Sequence, residues 1–175
     1  MIVGRAMGLG LTAESTTYRH GYFRDRSAEY QREVLAFLLG IEEHGLDILR
    51  IREILKLRAI TEVPRTPSFV RGIICLRGEV MPVIDLRVRL RMPPVEPTKE
   101  TRILVVSRDE EPYGLIVDAV HQVLRMRDED VEPPPPTIGG ADSEFIQGIG
   151  RPYAGRMLVL LNLDAILSFR VGGGR

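Results

Sequence analysis

Two apolar runs meeting at Leu76-Arg77-Gly78-Glu79 constrain this chain more than any other feature. Phe69-Val-Arg-Gly-Ile-Ile-Cys-Leu76 leads into that tetrapeptide, and Glu79-Val-Met-Pro-Val-Ile-Asp-Leu86 leads out of it. Apolar runs on either side of a short glycine-containing turn predict a β-hairpin that displays the Arg77 cation at its tip. The pattern recurs in weaker form. Phe145-Ile-Gln-Gly-Ile149 repeats Phe69-Val-Arg-Gly-Ile73, and Met157-Leu-Val-Leu-Leu-Asn-Leu163 repeats Val80-Met-Pro-Val-Ile-Asp-Leu86. The second copy has no arginine at a matching tight turn, so the two halves are not functionally equivalent.

The duplication extends upstream of both hairpins. Val34–Leu39 and Ile103–Val106 are short apolar runs, each followed by a polar turn and a return strand, Leu46–Leu49 and Tyr113–Val117. Aligning Gly45 with Gly114 also sets Ile51 on Val120, Glu53 on Gln122 and Ile54 on Val123. Arg50–Leu55 has mixed period and fits either a strand or one helical turn. A repeat of this size seen twice means duplicated subdomains rather than a solenoid. Helical periodicity is clear only near Leu163–Phe169, where Asn162 or Asp164 supplies a cap. The expected fold is mainly β: two small antiparallel barrels, whose closure removes exposed strand edges, and a short C-terminal helix.

A chain of 175 residues, 44% of them hydrophobic, accommodates one compact domain or two lobes sharing a core. Residues 1–29 lack sustained periodicity and are expected to form a flexible arm. The ordered domain is expected over 30–170, with subdomains of roughly 30–100 and 101–170 that exchange strands, and 171–175 as a disordered tail. Twenty-four basic residues balance 24 acidic ones, so no whole-chain field attracts nucleic acid or anionic lipid. No apolar run approaches a membrane span. Cys75 has no internal partner and is expected to be a small buried hydrophobe.

Catalytic signals are weak. His20, His44 and His121 are scattered, and none lies at metal-ligand spacing to another histidine, to Cys75 or to paired carboxylates. There is no nucleophile elbow and no complete dinucleotide loop. The acidic clusters Asp109-Glu-Glu111 and Asp128-Glu-Asp130 fall in expected turns. No cofactor or metal is implied, and no enzyme. What remains is charge set in apolar surroundings. Glu53 falls between Ile51 and Ile54, and Arg77 crowns the hairpin. The two fit either a structural ion pair or a pair oriented for a partner.

From residue 29 to 169 the sequence resembles the CheW-like coupling proteins of bacterial chemotaxis. Phe37-Leu-Leu-Gly-Ile-Glu-Glu-His-Gly-Leu-Asp-Ile-Leu-Arg-Ile-Arg-Glu-Ile54 carries part of the likeness, with Gly114-Leu-Ile-Val-Asp-Ala-Val120 and Gly155-Arg-Met-Leu-Val-Leu-Leu-Asn-Leu163. The most specific stretch is Thr66–Arg87, where Leu-Arg-Gly precedes an apolar strand ending Pro-Val-Ile-Asp-Leu. The resemblance implies two intertwined five-stranded SH3-like barrels. It also implies a cytoplasmic, non-enzymatic adaptor recruited to receptor arrays. Implied partners are the regulatory domain of the histidine kinase CheA, the tip of a methyl-accepting chemoreceptor and other CheW-like proteins. The residues matching Glu53 and Arg77 are linked in that family to receptor and kinase coupling. Arg71 and Gly72 of the same motif join the expected partner-binding set, and Ile51, Val83 and Ile84 are the expected walls of a groove for a receptor helix. Two features depart from the family pattern: the long N-terminal arm and the Glu132-Pro-Pro-Pro-Pro136 loop. The position where some members carry a phenylalanine that supports ring assembly falls near Thr137. These departures motivate an alternative, a CheW-like scaffold of a non-flagellar chemosensory pathway with lost or changed receptor binding.

Overall fold

The computed structural model describes residues 32–137, 143–153 and 155–169. The expected arm and tail lie outside the described residues. Strands run in the order β1 (Arg32–Leu39), β2 (Glu42–Asp47), β3 (Ile51–Lys56), β4 (Val70–Leu76) and β5 (Glu79–Asp85), followed by helix α1 (Leu86–Arg89). Then come β6 (Arg102–Arg108), β7 (Glu111–Val117), β8 (Ala119–Met126), β9 (Val131–Glu132), β10 (Ile146–Gly150), β11 (Leu158–Leu161) and helix α2 (Leu163–Ile166). The ambiguous Arg50–Leu55 stretch is therefore mostly strand. The expected return strand ends at Asp47, because the Asp47 side chain accepts a hydrogen bond from the Leu49 backbone N–H and starts a 3-10 turn.

The strands form two sheets, ordered β8-β1-β2-β11-β10-β9 and β3-β6-β7-β5-β4. They do not follow the halves 30–100 and 101–170. Strands β6 and β7, from the second half, pair with β3 and β5, while β8 and β11 pair with β1 and β2. The exchange is reciprocal. Gly45 of β2 lies opposite Leu160 of β11, and Gly114 of β7 lies opposite Val83 of β5, both in parallel ladders. At each crossing the absent Cβ matters: one on Gly45 would strike Val34, and one on Gly114 would strike Ile103. The hairpins end alike as well. Asp85 N–H donates to Phe69 O and Asn162 N–H to Phe145 O, and the Asp85 and Asn162 side chains cap α1 and α2.

Burial follows from this arrangement. The central runs Val34–Leu39 of β1 and Ile103–Val106 of β6 are continuously apolar because both of their faces are covered. Leu35, Phe37 and Leu39 join Leu104 and Val106 in a core between the sheets, together with Ile84, Leu86, Leu115, Phe145 and Ile166. Val34 and Ala36 face the inside of the first sheet with Leu124, Met126, Leu158 and Leu160. Ile103 and Val105 face the inside of the second with Ile74, Met81 and Val83. The expected burial of Cys75 is not observed. It is exposed, opposite the exposed Val80 on the outer face of the β4–β5 hairpin, because inward and outward positions alternate along β4 and Ile74 takes the inward one.

Candidate partner-binding site

The β4–β5 turn places Arg77 and Gly78 at φ 50° and 84°. Both central residues have positive φ, the primed-turn geometry that matches strand twist in a two-residue hairpin. Glu53 arrives from the opposite edge of the same sheet. The β3–β6 register shifts between Ile51 and Glu53, and such a bulge re-aims the side chain that follows it. The sheet curls until the Glu53 carboxylate accepts two hydrogen bonds from the Arg77 guanidinium, at 2.7 and 3.1 Å. That hydrogen bond, reinforced by the carboxylate's charge, holds the Arg77 pKa above its ordinary value. Arg52, one residue earlier, donates to the Glu110 carbonyl at 2.6 Å and approaches Glu79 at 3.9 Å. The Arg77 side chain is 74% exposed despite its pairing, whereas Glu53 is 26% exposed. The arrangement orients a cation toward solvent without neutralising access to it.

The other residues expected at a partner surface divide. Arg71 is exposed and borders a cavity of about 610 Å³ with Arg58, Glu62 and Pro94. Ile51 is half-buried and packs on the inter-sheet core. Gly72 is buried, with φ 141°, and any Cβ there would collide with the Thr61 carbonyl that bonds Ile73 N–H. Its place is structural. Val83 and Ile84 are fully buried, Val83 inside the second sheet and Ile84 between the sheets. They do not line a groove, because β5 is covered on both faces at these positions.

A second polar constellation was not apparent in the sequence. Arg156, in the loop before β11, makes a double hydrogen bond to Glu43 of β2 and bonds the Tyr153 hydroxyl. His121 Nδ1 lies 2.7 Å from the same Glu43 carboxylate. Gln122, turned so that its oxygen faces Arg156, accepts from it at 2.6 Å. The Arg156 hydrogen bond holds the Glu43 carboxyl below the usual carboxylate range against the opposing effect of burial. Gln122 is the residue aligned with Glu53, and a bulge precedes it too, at Ala36/Phe37 of the β1–β8 ladder. Each lobe therefore sets an arginine against a polar residue that follows a bulge. The first alignment contained that signal, but the loop carrying Arg156 has no tight-turn pattern to mark it. Among the described residues, no three His, Cys, Asp or Glu side chains cluster to hold a metal ion.

The CheW-like domain family matches residues 33–171. The chain belongs to the CheW-like family. It is 35% identical to the chemotaxis protein CheW of Klebsiella aerogenes, covering 78% of this chain and 82% of that protein. It is 31% identical to the protein FrzA of Myxococcus xanthus, covering 80% and 88%. The crystal structure of the scaffolding protein TtCheW from Thermoanaerobacter tengcongensis superposes with a TM-score of 0.73 at 37% identity, covering 79% of this chain and 93% of that one. This CheW-like fold is the two-barrel architecture implied by the sequence, with β9 as an added two-residue strand on the first sheet.

Proposed function

We propose that this chain is a non-enzymatic chemotaxis adaptor of the cytoplasm. It couples the tip of a chemoreceptor to the regulatory domain of the histidine kinase CheA, alongside other CheW-like proteins. Membership of the CheW-like family, and likeness to the chemotaxis protein CheW of Klebsiella aerogenes, support the class of function. Among the described residues no helix is long and apolar enough to cross a membrane, so in this reading the chain reaches the membrane through the receptor. The observation that carries the site is the Glu53–Arg77 pair: a cation fixed by two hydrogen bonds, at the tip of a hairpin, and largely open to solvent. Charges of this kind at an interface rim set specificity and association rate. Ile51 and Val120 pack on the inter-sheet core while remaining partly exposed, and Leu49, two residues before Ile51, is 89% exposed. Exposed apolar positions of this kind suit the apolar face of a helical hairpin, and Arg71, on the same sheet as Ile51, offers a further cation.

The test is a reconstitution with cognate kinase and receptor, reading kinase activity. Arg77→Glu sets two carboxylates together where an ion pair stood. It is expected to lower receptor-dependent stimulation at least about tenfold with an unchanged circular dichroism spectrum. Full stimulation by a folded Arg77→Glu variant would remove Arg77 from coupling. Failure of the wild-type chain to bind either partner would remove the adaptor reading.

A further inference from the structure

A cavity of about 660 Å³ opens on the first sheet, away from Glu53 and Arg77. Its walls are His44, Met92, Phe145 and Met157, with Ile41 at the mouth and the Arg156–Glu43 pair along one side. Ile41 is 100% exposed and Met157 59% exposed, which is costly apolar surface to leave in water. The internal repeat shows what such a place accepts. Gly45 corresponds to Gly114, so His44 corresponds to Tyr113. Likewise Phe145 corresponds to Phe69 and Met92 to Phe169. In the second sheet the equivalent space is filled from within the chain. The Phe169 ring meets Phe69 edge-on at 5.0 Å and Tyr113 at 6.3 Å. In the first sheet Met92 takes the position of Phe169, and a flexible thioether leaves the aromatic place open.

Two polar features add to the shape. His44 is 4% exposed, and its Nδ1 is buried without a hydrogen-bond partner. Glu42, at the rim, has a 63% exposed side chain whose near neighbour is that imidazole at 3.8 Å. Glu43 beside it is occupied by Arg156, so Glu42 is the carboxylate open to a cation. We propose that this cavity is a second docking site, which takes an aromatic side chain from a partner protein, edge-on to Phe145, with an adjacent basic residue of the partner meeting Glu42. The site lies beyond the adaptor reading and does not depend on it.

The test uses the full chain with its methionine methyls labelled with carbon-13, titrated with N-acetyl-phenylalanyl-arginine amide. The Met92 and Met157 signals are expected to move, while that of Met81, buried inside the second sheet, stays fixed and reports an intact fold. N-acetyl-alanyl-arginine amide is expected to move none. Glu42→Gln is expected to weaken binding about threefold, as loss of an exposed ion pair does. Met92→Phe restores the ring found in the other sheet and is expected to abolish binding with the Met81 signal unchanged. Equal shifts with both peptides, no shifts at all, or undiminished binding by Met92→Phe would overturn the proposal. Two further outcomes would also overturn it by naming another occupant. Met92 and Met157 shifts that depend on protein concentration without peptide would assign the cavity to a second copy. Shifts of the same signals on Phe23→Ala would assign it to this chain's own N-terminal segment.

Discussion

Arg87 and Asp118 meet at 2.5 Å in a setting where their side chains are only 12% and 25% exposed. Asp118 stands at the crossover from β7 of the second sheet to β8 of the first, and Arg87 lies in α1. The same Asp118 carboxylate accepts from the Gly40 N–H in the β1–β2 turn at 2.6 Å, and its own N–H donates to Leu38 O. One carboxylate thus ties the crossover, the first hairpin and α1 together. Asp118→Ala removes the carboxylate from a largely buried guanidinium, which keeps its bond to the Pro93 carbonyl, and unpairs the Gly40 N–H at once. It is expected to cost about 3 kcal/mol, the lower end for breaking a buried pair, measured as a lowered urea midpoint at constant m-value. A loss under about 1 kcal/mol would mean that water replaces the carboxylate without difficulty.

Gly72 offers a sharper separation of fold from function. It belongs to the hairpin motif that carries the family likeness, yet a Cβ there meets backbone atoms of Thr61, which have no room to retreat. Positive φ adds to the penalty. Gly72→Ala is expected to destabilise by at least about 3 kcal/mol, through overpacking against backbone, and to lose partner binding only in proportion to unfolded protein. Gly78→Ala is the control. Its Cβ meets nothing within 4 Å, so only its φ of 84° opposes the change, at about 1 kcal/mol. A stable Gly72→Ala protein that had lost binding would return Gly72 to the interface.

The hairpins and the duplication are legible in the sequence because alternation and turn chemistry are local. The exchange of β1 and β2 for β6 and β7 between the sheets is legible only in outline, since strand pairing is a long-range choice that periodicity does not encode. The burial of Val83 and Ile84 is illegible for a related reason: an apolar run gives no sign of whether its second face meets solvent or another sheet. Cys75 shows the reverse, a hydrophobic residue type on an outward position. The pairing of Glu53 with Arg77 is legible because charge stands out against apolar neighbours. Arg156 does not stand out, since its neighbours Arg151, Pro152 and Tyr153 already read as polar loop.

His44 makes stability depend on pH in a window of its own. Burial holds its imidazole below the ordinary value of 6.5, against the opposing pull of Glu42. The fold therefore favours the neutral ring, and below pH 6.5 the unfolded chain binds the proton more readily than the folded one. Stability falls with acidification from that point until the folded-state value is passed. Glu43 behaves differently. Its carboxyl is held below the ordinary value of 4.5 by Arg156, so its contribution is complete above that pH and is lost as pH falls through the depressed folded value. His44→Phe, which places an aromatic where the other sheet has Tyr113, is expected to flatten the urea midpoint between about pH 7 and pH 5. The loss below about pH 4 would remain. An unchanged slope across the upper window would show that His44 does not titrate with folding.

Arg89 holds the two halves of the repeat together at their junction. Its guanidinium lies 4.5 Å from the Phe69 ring centre and 4.6 Å from that of Phe145, the two repeat-equivalent phenylalanines. It also donates to the carbonyls of Ile166 and Ala165 at the end of α2. Burial lowers its pKa, partly offset by Glu144, but arginine stays charged at any ordinary pH. A planar cation can stack on two rings while donating in its own plane to two carbonyls; an ammonium cannot do both. Arg89→Lys is therefore expected to destabilise by about 2 kcal/mol, with loss of stacking as the main cause. A double-mutant cycle of Arg89→Lys with Phe145→Leu should return a coupling of about 1 kcal/mol. The same cycle with Phe69→Leu should give a similar value, because the ring distances differ by so little. Strong coupling to one phenylalanine alone would show that Arg89 belongs to one lobe, and that the junction is held by the apolar core rather than by a shared cation.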